Sequence, residues 1–188
     1  FVMHSTTKFL NGHGTAIGGI LLGKDIEKMN GPIWKWHVLL GGNSNPFDAY
    51  LLTQGLKTLE LRMERHCHNA QEIANFFAQH PAIEKVNYCG LPSHPDYAIA
   101  VKQMKHAGAI MSVELKGGLT AGQTFVDRLQ VAVKAISFGT PDTLVSHPAS
   151  MSHKGLTKEE RLAYDITDGL IRISVGIENI EDLLNDFE

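Results

Sequence analysis

Residues 4–19 read HSTTKFLNGHGTAIGG, and the setting of the single lysine inside them decides how the whole chain is read. Lys8 follows Ser5, Thr6 and Thr7 and precedes Gly12, Gly14, Gly18 and Gly19. Small hydroxyl side chains are ready donors to a phosphate, and glycines let the backbone bend closely around a ligand. An amine shielded from water loses its proton and attacks a carbonyl carbon. Those are the requirements of a pyridoxal phosphate lysine. Taken alone, Ser-x-Thr-Lys is a weak signal that fits a solvated surface lysine better, so the flanking sequence has to decide.

Moving outward, the opening FVMHSTTKF has apolar residues and no cap. It reads as a strand already under way, with the expectation that polypeptide precedes Phe1. Residues 15–22, TAIGGILL, read as a buried strand between Gly14 and Gly23, and 24–30 as a short polar helix. A strong helix start follows in GGNSNPFDAY: Asn45 can cap, Pro46 suits the first helical position, and Asp48 places negative charge where the helix dipole favours it. Apolar residues at Leu52, Leu56, Leu59, Met63, Cys67, Ala70, Ala74 and Phe77 keep steps of three and four. The pattern predicts one helix over 46–81, roughly 50 Å long at about 1.5 Å per residue, suited to connecting two domains. Beyond Pro81, strands at 83–88, 109–115, 131–138 and 170–176 alternate with helices at 95–104, 119–129, 158–164 and 180–187. This is an α/β pattern, dividing the chain into 1–45, a connecting helix 46–81, and a second α/β domain 82–188.

Composition excludes several classes of function. Against 20 acidic residues stand 17 basic ones, for a net charge of -3, with no Lys/Arg cluster to attract nucleic acid or an anionic membrane. No apolar run approaches the ~20 residues that span a bilayer, so no nucleic-acid or membrane partner is expected and the cytoplasm is the default location. Cys67 and Cys89 are the only thiols and read as free. Gly18-x4-Gly23-Lys24 imitates a phosphate loop, but Asp25 stands where a magnesium-holding hydroxyl belongs. Gly12 and Gly14 lack the third glycine of a dinucleotide fingerprint. His66, Cys67 and His68 point to different helix faces, so no metal site is expected. No Gly-x-Ser-x-Gly elbow occurs.

The chain resembles the Cys/Met-metabolism family of pyridoxal phosphate enzymes. That family's lysine motif is approximately His-Ser-x-Thr-Lys-aromatic-x-x-Gly-His, which His4, Ser5, Thr7, Lys8, Phe9, Gly12 and His13 match. Similar stretches follow in family order: DAYLLTQGLKTLELRMERH (48–66), YCGLPSHP (88–95), HPASMSH (147–153) and GLIRISVGIE (169–178). The resemblance implies the fold type I, aspartate aminotransferase-like architecture, present as the end of the large cofactor-binding domain plus the C-terminal small domain. It implies pyridoxal 5'-phosphate as cofactor, Lys8 as its Schiff-base lysine, and Ser5 and Thr7 as phosphate contacts. It also implies a homotetramer built as a dimer of dimers, and further cofactor residues upstream of Phe1.

Arg172 is the second candidate. In LIRIS, Leu170, Arg172 and Ser174 share one strand face while Ile171 and Ile173 take the other. An edge-strand arginine in a surface ion pair would look the same. Yet a planar fork of donors suits an amino-acid carboxylate, and the resemblance assigns Arg172 that role. It also implies that Ser137 helps orient the lysine and the substrate. Family members carry out β- or γ-elimination or γ-replacement on sulfur amino acids. Ile136 is the discriminating residue, because cystathionine γ-synthases and γ-lyases usually have a glutamate there. A branched alkyl group would desolvate a distal ammonium without compensation and suits a thioether methyl. The expectation is therefore a methionine γ-lyase-like γ-elimination giving a thiol, ammonia and 2-oxobutanoate. Thr15 and His37–Val38 depart from that subfamily, and GHGT is nearer the O-acetylhomoserine sulfhydrylases. A sulfhydrylase, a cystathionine enzyme or a non-catalytic fragment are the alternatives.

Overall fold

The computed structural model describes residues 1–188. They divide into two compact units, Phe1–Leu59 and Glu60–Glu188. No helix is long and apolar enough to cross a membrane.

In the first unit, β1 (Val2–Ser5) and β2 (Gly19–Leu22) pair antiparallel, with Val2 opposite Leu22 and Ser5 opposite Gly19. The strand expected over 15–22 is shorter than its apolar run, and every residue of it is exposed rather than buried. A ribbon of two strands has no second layer to bury its apolar side chains. Asp25 then caps the short α1 (Ile26–Lys28), accepting the Lys28 N–H at 3.0 Å. This is the residue that spoiled the phosphate-loop reading. A wide turn over Met29–Ile33 leads into α2 (Trp34–Leu40), which Gly41 stops at φ 69°. Sequence reading missed α2 because its apolar residues make no buried stripe. α3 (Pro46–Leu56) starts as its caps predict, with the Asn45 side chain accepting the Asp48 N–H at 2.9 Å.

The single helix expected over 46–81 is two helices, α3 and α4 (Leu59–Gln79). Between them the N–H groups of Lys57 and Thr58 reach back only three residues, to Gln54 and Gly55 (3.2 and 3.3 Å). The Thr58 hydroxyl donates to the same Gly55 carbonyl at 3.3 Å. Such tightening ends a helix. Apolar spacing runs on across the break, which is why periodicity could not reveal it.

The second unit carries α4, β3 (Ile83–Asn87), α5 (Tyr97–Gln103), β4 (Ile110–Leu115), α6 (Gly118–Arg128), β5 (Val133–Lys134), β6 (Leu144–Ser146), α7 (Lys158–Leu162), β7 (Leu170–Ser174) and α8 (Ile180–Phe187). Its sheet has the order β3-β4-β7-β6-β5, antiparallel except for the β5–β6 pair. The strand expected over 131–138 shrinks to two residues, and β6 was not foreseen because three residues are too few to show a period. Met111, Val113, Ile171 and Ile173 from the sheet and Ile73, Ala74, Phe77 and Leu183 from α4 and α8 make the buried core. Each of these except Ala74 contributes about 1.5–3 kcal/mol on burial. Phe187 joins Phe77 at 5.3 Å between ring centroids.

Candidate active site

The Lys8 turn is built inside the first unit. Thr6–Leu10 coil into a wide turn closed by Asn11 N–H to Thr6 O (3.0 Å) and Gly12 N–H to Lys8 O (2.8 Å). Lys8 itself leaves the helical path, at φ −92° and ψ −135°. Two glycines hold this turn by letting other backbone come close. On one side the Gly18 carbonyl accepts from the Thr6 N–H at 2.9 Å, and a β-carbon at Gly18 would lie 2.7 Å from the Thr6 hydroxyl. On the other side Gly55 of α3 lies against Asn11. A β-carbon there would sit on the Asn11 carbonyl, 2.8 Å from its carbon. Asn11 is buried, and its side chain and Thr15 exchange hydrogen bonds (3.1 and 3.4 Å), while its carbonyl accepts from His13 Nδ1 at 2.7 Å.

Thr7 and Lys8 thus share one turn, and Ser5 ends the strand that leads into it. The fit differs between the two hydroxyls. Ser5 is exposed, and its side chain makes no capping bond. Thr7 is engaged with Gly18, accepting its N–H at 3.0 Å and donating to its carbonyl at 3.3 Å. A hydroxyl has a single proton, so Thr7 donates to a phosphate only by releasing the longer bond. Gly12 and Gly14 have positive φ, 70° and 65°, a conformation glycine takes without strain.

Arg172, Ile136 and Ser137 come together in the second unit. β7 is the central strand of five, not an edge strand, and no carboxylate pairs with Arg172. Register places Asn87, Ser112, Arg172 and Ser146 in one row across four strands, all uncharged but the arginine. Asn87 Nδ2 donates to Ser112 Oγ at 3.2 Å. The guanidinium is half-buried, and burial holds its pKa below the usual arginine range. Its Nη2 donates to the carbonyl oxygens of Ile136 and Ser137, the latter at 3.0 Å. Its carbon stands 6.0 Å from the centroid of the Phe138 ring. Nε is buried without a partner. A cation taken partly out of water with no counter-ion is costly, so the arrangement is poised for an anion.

Residues at a distance in sequence hold β7 and its exit. His66 Nδ1 donates to Val175 O at 2.6 Å, and Asn69 Nδ2 donates to the carbonyls of Gly176 and Glu178 (3.2 and 2.9 Å). The Thr143 backbone and hydroxyl both donate to the Glu178 carboxylate, the hydroxyl at 2.8 Å. In the HPASMSH loop, His147 bridges the Ser150 hydroxyl and the Asp168 carbonyl (2.8 and 2.9 Å), joining β6 to the start of β7. Lys158 and Arg161 flank Asp168 and hold its carboxyl below the usual range. Phe138, Asn11 and Gly55 escaped the sequence reading, since nothing local marks an aromatic, an amide or a glycine as the neighbour of a distant group. No cluster of three His, Cys, Asp or Glu side chains could hold a metal ion.

Comparison with known proteins identifies the family. The family model for Cys/Met metabolism PLP-dependent enzymes matches residues 1–188. An L-methionine gamma-lyase of Porphyromonas gingivalis is 48% identical over 187 residues, covering 100% of this chain and 47% of that protein. A cystathionine beta-lyase of Coxiella burnetii is 44% identical, covering 100% and 48%. Among solved structures, the cystathionine gamma synthase of Xanthomonas oryzae pv. oryzae in complex with aminoacrylate and cysteine superposes with a TM-score of 0.92 at 45% identity, covering 99% of this chain and 48% of that one. The chain spans about half the length of the curated relatives it matches.

Proposed function

The chain belongs to the Cys/Met metabolism PLP-dependent enzymes, and from that premise we propose that the full protein is a sulfur amino acid lyase of the methionine γ-lyase kind. It would release a thiol, ammonia and 2-oxobutanoate. What favours this reading is the pairing of Arg172, a half-buried cation without a carboxylate partner, with the apolar Ile136, whose carbonyl the guanidinium contacts. An α-carboxylate would neutralise the arginine, and an isoleucine beside it offers nothing to a distal ammonium or carboxylate. A thioether loses little there.

Bound pyridoxal phosphate supplies the electron sink that makes the α-carbon acidic. The chain's own residues do the rest. Lys8 Nζ would carry the cofactor and move protons at the substrate's α-carbon, while Ser5 Oγ, and Thr7 Oγ1 once it releases Gly18, would donate to the phosphate. Arg172 would fix the carboxylate. With Nη2 committed to two carbonyls, the approaching carboxylate takes Nη1 first and gains a second parallel bond by displacing one carbonyl. The Ser137 carbonyl keeps its segment beside the guanidinium. We place the protein in the cytoplasm as a homotetramer of paired dimers, with the remaining cofactor residues in polypeptide outside these residues.

A cystathionine-type elimination or an O-acetylhomoserine sulfhydrylase reaction is the second reading, supported by the 44% identity to the cystathionine beta-lyase and by Thr15, whose hydroxyl is spent on Asn11. The test uses the full-length protein. Borohydride reduction should leave the cofactor attached to the peptide containing Lys8, and methionine should yield volatile thiol. Homocysteine from O-acetylhomoserine and sulfide, with no thiol from methionine, would overturn the first reading in favour of the second.

A further inference from the structure

We propose that Phe138 positions Arg172 and thereby sets how well the carboxylate of the incoming amino acid is gripped. The proposal rests on the reading of Arg172 given above. Arg172 rises from the middle of the sheet with no charged group to hold it, and a long flexible side chain in that situation samples many rotamers. Its three anchors all come from one segment: the carbonyls of Ile136 and Ser137 on Nη2 and the ring of Phe138 at 6.0 Å. Backbone carbonyls persist whatever the side chain, so among these anchors only Phe138 is under the control of the sequence.

The two kinds of anchor do different things. The carbonyls fix where one terminal nitrogen lies, whereas an aromatic face attracts the cation as a whole and favours a stacked plane. Together they leave Nη1 unspent and Nε buried without a partner. A carboxylate arriving at Nη1 meets a guanidinium whose ordering cost is already met. Phe138 is itself half-buried and outside the buried core, so shortening it opens no cavity there.

The test is an equilibrium titration of the full-length, cofactor-loaded protein with L-alanine, followed by the change in cofactor absorbance. L-Alanine offers a carboxylate and an amine but no leaving group, so it reads the grip alone. Phe138→Leu should weaken its binding roughly 3- to 10-fold, and Phe138→Trp should restore it. In an Arg172→Ala background the same Phe138→Leu change should alter binding less than about twofold. A Phe138→Leu effect that persists in full without the arginine overturns the proposal, as does parent-like binding by Phe138→Leu when Arg172→Ala is weakened. If Arg172→Ala binds L-alanine like the parent, the carboxylate reading of Arg172 itself fails and the positioning role goes with it.

Discussion

Replacing Gly55 by alanine tests whether the Lys8 turn is held by backbone contact with α3. In an ordinary helix this exchange is favourable by about 1 kcal/mol, because glycine has more conformational freedom to lose. Here the added β-carbon would land on the Asn11 carbonyl, 2.8 Å from its carbon and 2.9 Å from Cα. That is more than half an ångström inside ordinary van der Waals contact, and the obstacle is backbone that cannot rotate aside. Overpacking of this kind costs about 1–3 kcal/mol. Asn11 closes the turn that carries Lys8, so the displacement should fall on the cofactor site. If all of it appears there, the dissociation constant for pyridoxal phosphate rises roughly 5- to 150-fold. Gly31 is the matched control: it lies in the wide turn Met29–Ile33, and a β-carbon there would meet nothing within 4 Å. Gly31→Ala should bind cofactor like the parent. The assay is spectroscopic titration of the full-length apoprotein with pyridoxal phosphate. Gly55→Ala binding as tightly as Gly31→Ala would refute the idea that Gly55 fixes the lysine turn.

Two further outcomes concern the second unit. Thr143 is fully buried, and its hydroxyl both donates to Glu178 and accepts from the Gly176 N–H, each at 2.8 Å. Thr143→Val keeps the shape but strands both partners, which should cost about 1–3 kcal/mol in denaturant unfolding; unchanged stability would show that water replaces the hydroxyl there. His66 is buried, and desolvation lowers its pKa from the ordinary value, opposed by its bond to Val175 and reinforced by Arg62. Because the unfolded chain then binds the proton more readily, this contribution is fully present above the ordinary histidine pKa near 6.5. It fades as pH falls toward the folded value, with a limiting slope of about 1.4 kcal/mol per pH unit. His66→Gln should flatten the loss of stability between pH 7 and pH 5, and an unaltered slope would remove His66 as its source.

Particular residues show which features could be read in advance. The start of α3 was legible at Asn45, Pro46 and Asp48, and α8 was placed at its observed bounds, because capping and amphipathic spacing are properties of a few neighbouring residues. The LIRIS alternation likewise told which side of β7 Arg172 occupies, since Ile171 and Ile173 are fully buried. The break at Lys57 and Thr58 was not legible, because apolar spacing continues through it while hydrogen bonds do not. Nor was the exposure of β2, whose apolar run looks the same with or without a layer above it. Ser5 and Thr7 looked equivalent in sequence, yet Thr7 alone is tied to Gly18.

By itself, then, the sequence determined the local chemistry: an amine among hydroxyls and glycines, an arginine on the polar side of a strand, and motif order enough to identify the family. Tertiary structure alone decided what those groups meet. It set Arg172 on a central strand without a counter-ion and brought it to carbonyls 35 and 36 residues away in the chain. It also pressed a helix glycine against the lysine turn. Caps and alternation act between near neighbours, whereas packing, burial and hydrogen bonding between distant segments exist only once the chain has folded.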